Sequence, residues 1–342
     1  MSDAAPRVSV VMPVYNAGPF VDEAIASVIA QDFGDFVFII VDDGSTDETG
    51  AILEAWRARD ERIVVIRSQR NEGIAAALRK GIAAARGELI ALQDADDVSL
   101  PRRFSTQVAA LDADRALAMV VVSTDVVDAA GRTIGKARRT PSPELTAYLL
   151  HFSNVLGGLG RAMLRRSALI AAGVGDTELA VDYDLWTRVS RFGPIRVLPF
   201  VGMRYRVHPG GVSVRLRDGQ RRDARAISGR MLRELLQRDV GDEELDAVVA
   251  MWSMQPEDEN PALAEQLLRE AFARFPASPQ TRAEIRREHA RRWSRGAVFL
   301  CSRFQFSSAM RYLRRGMTWS ATTALRELAT GFALIVVRRA KR

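Results

Sequence analysis

An apolar run that stops against acid does most to limit what this chain can fold into. Gly87-Glu88-Leu89-Ile90-Ala91-Leu92-Gln93 leads straight into Asp94-Ala95-Asp96-Asp97. A short unbroken apolar stretch, with Gly before it and charge after it, suits a central strand of a parallel sheet covered on both faces. In open α/β sheets ligands collect beyond the carboxyl ends of strands, so the acidic end marks a candidate site. Three Asp within four residues repel one another unless a cation stands among them. Asp-x-Asp suits a hard divalent ion that also grips phosphate oxygens. The plainer alternative is an acidic helix-capping turn, with Pro101 placed where a helix then starts.

Upstream, strand and helix patterns alternate. Arg7 to Asn16 reads as a Val-rich strand, Pro19 to Gln31 as a helix with Val21, Ile25, Val28 and Ile29 at helical spacing, and Phe36 to Val41 as a second strand broken by Asp42-Asp43-Gly44. A helix to about Arg59, a strand at Ile63 to Ile66 and an Ala-rich helix at Gly73 to Ala85 follow. Such alternation predicts an α/β fold with a mostly parallel central sheet and right-handed crossovers. Further on, strands are expected at Leu117 to Ser123 and Ile195 to Arg206, a hairpin at Val126 to Lys136, and a return to the sheet near Ala162. A helix is expected at Tyr183 to Phe192, stopped by Gly193-Pro194.

From Val214 the pattern becomes helical only, so 342 residues divide into an expected catalytic domain at 1–213 and a helical C-terminal region at 214–342. Charge divides there too: 24 basic and 26 acidic side chains precede residue 214, and 25 and 16 follow it. No apolar run approaches the roughly 18 residues of a membrane span, and the N-terminus lacks the form of a signal peptide. The lone Cys301 excludes an intrachain disulfide framework. These features together predict a cytoplasmic protein.

Tyr15-Asn16, Asp42-Asp43 and Asp94 to Asp97 all stand at strand ends. In parallel neighbours they share one rim, which suits a nucleotide: an aromatic ring for the base, a carboxylate for a base N–H, a metal for the diphosphate. Asp42 is equally explained as part of a turn. Val10-Val11-Met12-Pro13-Val14-Tyr15-Asn16, Val41-Asp42-Asp43-Gly44-Ser45-Thr46-Asp47, Asn71-Glu72-Gly73-Ile74-Ala75-Ala76-Ala77 and Asp94-Ala95-Asp96-Asp97, in this order, resemble the signature of family 2 inverting glycosyltransferases with the Rossmann-like A-type nucleotide-sugar fold. The resemblance covers roughly the first 210 residues. It implies that Pro13 and Tyr15 line the base site, that Asp43 contacts the base, that Asp96 is a direct ligand of Mn²⁺ or Mg²⁺, and that Asp94 faces the ribose or stands behind the ligands.

Val181-Asp182-Tyr183-Asp184 resembles the family's Glu-Asp motif, with Val181 where the Glu usually stands, and Asp182 is implied as the catalytic base. Inversion at an anomeric carbon needs a base opposite the leaving group. On the residues alone, Asp182 is as readily a helix N-cap, whose N–H groups would lower its pKa. Tyr205-Arg206-Val207-His208 resembles a stretch after the last core strand of many members, implying His208 as a third metal or diphosphate ligand and Arg206 near phosphate; an ordinary His is the alternative. Gly157-Gly158-Leu159-Gly160 neither follows a first strand nor opens a βαβ unit, so it is no dinucleotide fingerprint.

The resemblance thus implies nonprocessive, metal-dependent transfer of a sugar from a nucleoside diphosphate donor to a hydroxyl acceptor, a glycan or lipid-linked saccharide of cell-surface polysaccharide synthesis. The processive relatives' Gln-x-x-Arg-Trp motif is missing. Alternatives are a catalytically inactive nucleotide-sugar-binding protein, a sugar-phosphate nucleotidyltransferase or a receiver module; nucleic acid is not an expected partner. Residues 282–342 hold 15 basic and 3 acidic side chains. There Trp293, Ala297, Leu300 and Phe304 share a helical face beside Arg292, Arg295 and Arg303, so this helix either lies on an anionic membrane or packs within the protein.

Overall fold

The computed structural model describes residues 5–177, 179–253, 260–303 and 305–340, with side chains to residue 331 save those of 212 and 253. The elements run β1 (Val8–Val14), α1 (Gly18–Ile29), β2 (Phe36–Asp42), α2 (Thr49–Arg57), β3 (Ile63–Arg67), α3 (Ile74–Ala84), β4 (Leu89–Leu92), β5 (Val98–Ser99) and α4 (Arg103–Ala113). Next come β6 (Met119–Val127), β7 (Thr133–Ala137), α5 (Pro143–Leu149), a 3-10 turn (Leu159–Arg161), β8 (Ala162–Arg165), α6 (Arg166–Ala172), α7 (Val181–Val189) and β9 (Ile195–Arg206). Helices α8 (Val212–Arg215), α9 (Arg217–Leu236), α10 (Asp242–Ser253), α11 (Pro261–Arg274), α12 (Pro279–Ser302) and α13 (Phe306–Ala340) complete the chain. Residues up to 147 together with 154–224 form one compact unit, and 148–153 with 225 onward form a second.

In the first unit nine strands among the described residues make one sheet, ordered β3-β2-β1-β4-β8-β6-β9-β5, with β7 paired to β6. β1 runs parallel to β2 and β4, β2 to β3, and β6 to β9. The central strands β1, β2 and β4 are almost wholly apolar and buried because both faces of the sheet are covered there. Val8, Val10 and Met12 join Val21, Ile25 and Val28 of α1 and Phe104 of α4 in one core. On the other face α3 lies so close that a Cβ on Gly81 would meet the side chains of Val11 and Val41. Strand β8 is antiparallel to both β4 and β6. It enters from the rim where β1, β2 and β4 end, so the segment leading into it and the end of β9 reach that same rim. This brings Tyr15, Asp43, the Asp94 to Asp97 turn, Gly160 and His208 to one edge of the sheet.

The second unit is helical, and its apolar face is spent internally. Trp293, Ala297 and Leu300 of α12 are buried, with Trp293 against Tyr312 of α13 at 4.9 Å between ring centroids. Gly296 permits this approach, since a Cβ there would fall 2.6 Å from the Tyr312 ring. The membrane-facing reading of α12 is therefore corrected: the face it required is packed against a neighbouring helix. Phe304 lies outside the described residues.

His289 is buried in the same unit among Phe152, Trp252 and Trp319, with Nε2 2.7 Å from the Tyr148 hydroxyl. Burial pushes its pKa down to about 3. The unfolded chain takes up this proton near pH 6.5 and the folded unit refuses it, so stability falls as pH drops from about 6.5 toward 3, at about 1.4 kcal/mol per pH unit for one group. His289→Gln is expected to lower the melting temperature at pH 7 but to flatten its fall between pH 6.5 and pH 4.5. An unchanged slope would remove His289 as the cause.

Candidate active site

The rim is built from loops that tie to one another. Asn16, left-handed at φ 47°, places its N–H on Ser45 Oγ at 3.0 Å and accepts the Thr46 N–H at 2.8 Å. Asp42 Oδ1 accepts from the Ser45 N–H, so Asp42 serves the turn. Asp43 Oδ2 accepts two backbone N–H groups, from Glu72 at 2.9 Å and Gly73 at 2.8 Å, while its buried Oδ1 has no partner among the described residues. A buried carboxylate oxygen left open is an acceptor waiting for a donor. Tyr15 is 46% exposed, and Pro13 lies one residue short of the end of β1.

Beyond β4 the acidic turn is held from beneath. Gln93 Nε2 donates to the carbonyls of Asp94 and Asp97, and its Oε1 accepts from Ser99 Oγ and from Arg103. Arg103 is completely buried, also bonds the Leu92 carbonyl at 2.7 Å, and lies where its charge offsets Asp94 and Asp97. The cluster still lacks positive charge. Burial first, and Asp96 second, push Asp94 up to about 7; burial and the neighbouring Asp94 hold Asp97 well above the usual carboxylate range.

Asp96 Oδ2 and His208 Nε2 stand 3.1 Å apart, with the His208 ring tilted against Phe20 at 4.6 Å. Two ligands about 2.1 Å from an octahedral ion and at right angles are about 3.0 Å apart, so the pair fits adjacent positions around Mg²⁺ or a similar cation. No set of three converging His, Cys, Asp or Glu occurs among the described residues. A cation here would therefore draw its remaining ligands from water and a bound anion, as Mg²⁺ commonly does.

Arg206 departs from the expectation. It is 5% exposed, and its Nε, Nη1 and Nη2 donate to the Asp96 carbonyl, the Ala129 carbonyl and Glu23 Oε2. Its N–H also bonds Asp97 Oδ1 at 2.8 Å. Each guanidinium nitrogen is engaged with protein, so Arg206 shapes the acidic turn and presents no free face to phosphate in this conformation.

Asp182 is the second residue of α7, and the N-cap is Ala180, which makes no side-chain cap. Its Oδ1 accepts the Tyr183 N–H and its Oδ2 the Asn154 amide, both at 2.7 Å. Burial outweighs these bonds and pushes it up to about 6, opposite to the lowering expected of an N-cap. Val181 is buried. The Gly157–Gly160 stretch, set aside on sequence grounds, belongs here. Gly160 N–H donates to Asp94 Oδ2 at 2.9 Å, and a Cβ on Gly160 would lie 3.0 Å from both that oxygen and the Asp94 nitrogen. Glycine clustering was the available signal; its meaning is close backbone approach to a carboxylate.

The fold and this rim define a glycosyltransferase of the A type, and comparison with known proteins agrees. The glycosyl transferase family 2 profile matches residues 9–172. A Bacillus subtilis (strain 168) protein named as a glycosyltransferase, EpsE, is 34% identical over 199 residues, 56% of this chain and 69% of that one. The chain thus belongs to glycosyl transferase family 2. Among solved structures, S. aureus TarS 1-349 in complex with UDP-GlcNAc superposes with a TM-score of 0.55 at 18% identity, covering 92% of each chain. The mannosyltransferase PcManGT from Pyrobaculum calidifontis, in complex with GDP-Man and Mn²⁺, gives 0.53 at 18% identity, covering 98% of this chain and 81% of that one.

Between pH 3.8 and about 6 the folded state holds a proton on Asp182 that the unfolded chain releases, so this group costs stability as pH rises through that window and above it. Asp182→Asn is expected to melt higher than the parent by about 2 °C or more at pH 8, with little gain at pH 4. An equal offset at both pH values would contradict the assignment.

Proposed function

We propose that this enzyme moves a sugar from a nucleoside diphosphate donor to a hydroxyl of a saccharide acceptor, in one inverting, nonprocessive displacement. The observation that carries the reading is the convergence on one rim of Asp43, whose Oδ1 has no partner among the described residues, the Asp96–His208 pair and the buried carboxylate of Asp182. Asp43, through its open Oδ1, takes a base N–H, and the exposed Tyr15 ring covers the base beside Pro13. Asp96 and His208 hold the divalent cation, with Asp94 behind them. When bound, the ion supplies positive charge to the departing diphosphate. Asp182 takes the acceptor proton as the new bond forms on the face opposite the leaving group.

The nucleotide-sugar donor is supported by the two structural neighbours, which hold UDP-GlcNAc and GDP-Man with Mn²⁺. A glycan or lipid-linked saccharide of surface polysaccharide synthesis is the proposed acceptor. Membrane contact through α12 is not part of the reading. No helix among the described residues is long and apolar enough to cross a membrane.

Asp96→Ala is expected to abolish manganese-dependent donor binding measured by calorimetry, and Asp94→Ala to weaken it less. Asp182→Asn is expected to keep donor affinity near that of the parent while turnover falls about a hundredfold or more. Manganese-dependent binding that survives Asp96→Ala would end the metal assignment. Near-normal turnover by Asp182→Asn would end the base assignment and favour a purely structural carboxylate.

A further inference from the structure

Asn154 was not singled out by any motif, yet its amide bonds the Asp182 carboxylate directly. Its Oδ1 accepts the backbone N–H groups of Leu156 at 3.1 Å and Gly157 at 3.0 Å. Those two donors settle which end of the amide is oxygen, so Nδ2 is the end that faces Asp182 Oδ2 at 2.7 Å. The Gly157 carbonyl accepts the Trp186 indole N–H at 2.9 Å, one turn along the helix that carries Asp182. Arg161 fastens the loop from below, with Nη1 on the Leu156 carbonyl at 2.6 Å and Nε and Nη2 on the Val122 carbonyl. The loop's far end bonds Asp94 through Gly160. One segment, 154–160, therefore bonds both the acceptor-side and the donor-side carboxylate.

We propose that Asn154 is the positioning residue for Asp182: its amide donates to Oδ2, holds the carboxylate in its ionised form, and fixes the direction in which it meets the acceptor hydroxyl. The proposal rests on Asp182 being the base. The groups that face Asp182 are few in kind. Its own helix offers the backbone N–H groups of Tyr183 and of Asp182 itself, while Asp184 is turned away onto Arg188 at 2.6 Å. The 154–160 loop offers the Asn154 amide. From the end of β4 comes Asp94, whose own pKa is raised in part by the charge of Asp182. Loss of the amide leaves burial opposed by backbone donors alone, so the proton is held more firmly and the base is weaker at neutral pH.

Two substitutions separate this role from simple support of the loop. Asn154→Asp keeps the shape and the acceptor for Leu156 and Gly157 but replaces the donor with a second carboxylate. Asn154→Ala removes both. In each variant the acid limb of the kcat profile is expected to move up, by about one pH unit or more in the Asp variant, with kcat at pH 7 down about tenfold or more and partly restored at pH 9. The KM for donor is expected to change less than about threefold, because Asn154 touches the acceptor side. Where turnover is too slow to profile, carboxyl NMR of Asp182 reads the same upward movement. A fall in kcat with the acid limb and the Asp182 titration unmoved would make Asn154 a loop residue only and overturn the proposal, as would unchanged kinetics in both variants. Asp182→Asn distinguishes the two levels. If that variant turns over normally, the base reading fails; if it is inactive while the Asn154 variants keep the parent's acid limb, only the positioning role fails.

Discussion

Carboxylate charge gathered at the end of one buried strand is the constraint around which the first unit is arranged. Asp94, Asp96 and Asp97 could not sit together at the foot of an apolar sheet without compensation, because burial and mutual repulsion each favour the neutral acid. Arg103 supplies a fully buried counter-charge, and Gln93 gathers the turn's carbonyls onto one amide. Backbone N–H groups of Gly160 and Arg206 supply the rest. The compensation is incomplete, since Asp94 and Asp97 remain proton-hungry. That shortage of positive charge is what the proposed cation would answer.

The geometry of the sheet turns this local demand into a catalytic arrangement. Parallel β1, β2 and β4 place three loops side by side, and antiparallel β8 draws the 154–161 segment across the same rim. Because that segment bonds Asp94 at one end and Asp182 at the other, the two carboxylates are held by one segment of chain rather than by independent loops. Asp182 differs from the acids beyond β4 in its surroundings: burial raises it to about 6 while the Tyr183 N–H and the Asn154 amide oppose the rise.

Much of this was legible in the residues. Strands buried on both faces write themselves as unbroken apolar runs, so Val8–Val14, Phe36–Asp42 and Leu89–Leu92 were found with the polar residues that end them. What escaped depends on contacts between distant segments. The direction of β8 has no period of its own, and the glycines at 157–160 matter only once Asp94 is beside them. Arg103 looks like any helix-starting cation until its burial beneath the acids is known, and Arg206 reads as a phosphate ligand until Glu23 and two carbonyls are found on it. An amphipathic helix such as α12 cannot declare from its own sequence whether its apolar face meets lipid or, as here, a neighbouring helix.

The central claim is that Asp96 and His208 hold a cation for the diphosphate. Anomalous scattering from crystals of the protein grown with manganese and a nucleoside diphosphate tests it directly. The account predicts one manganese peak about 2.1 to 2.3 Å from both Asp96 Oδ2 and His208 Nε2, in contact with phosphate oxygens. A nucleotide bound at the rim with no manganese at that pair, or with the ion held elsewhere, would contradict it.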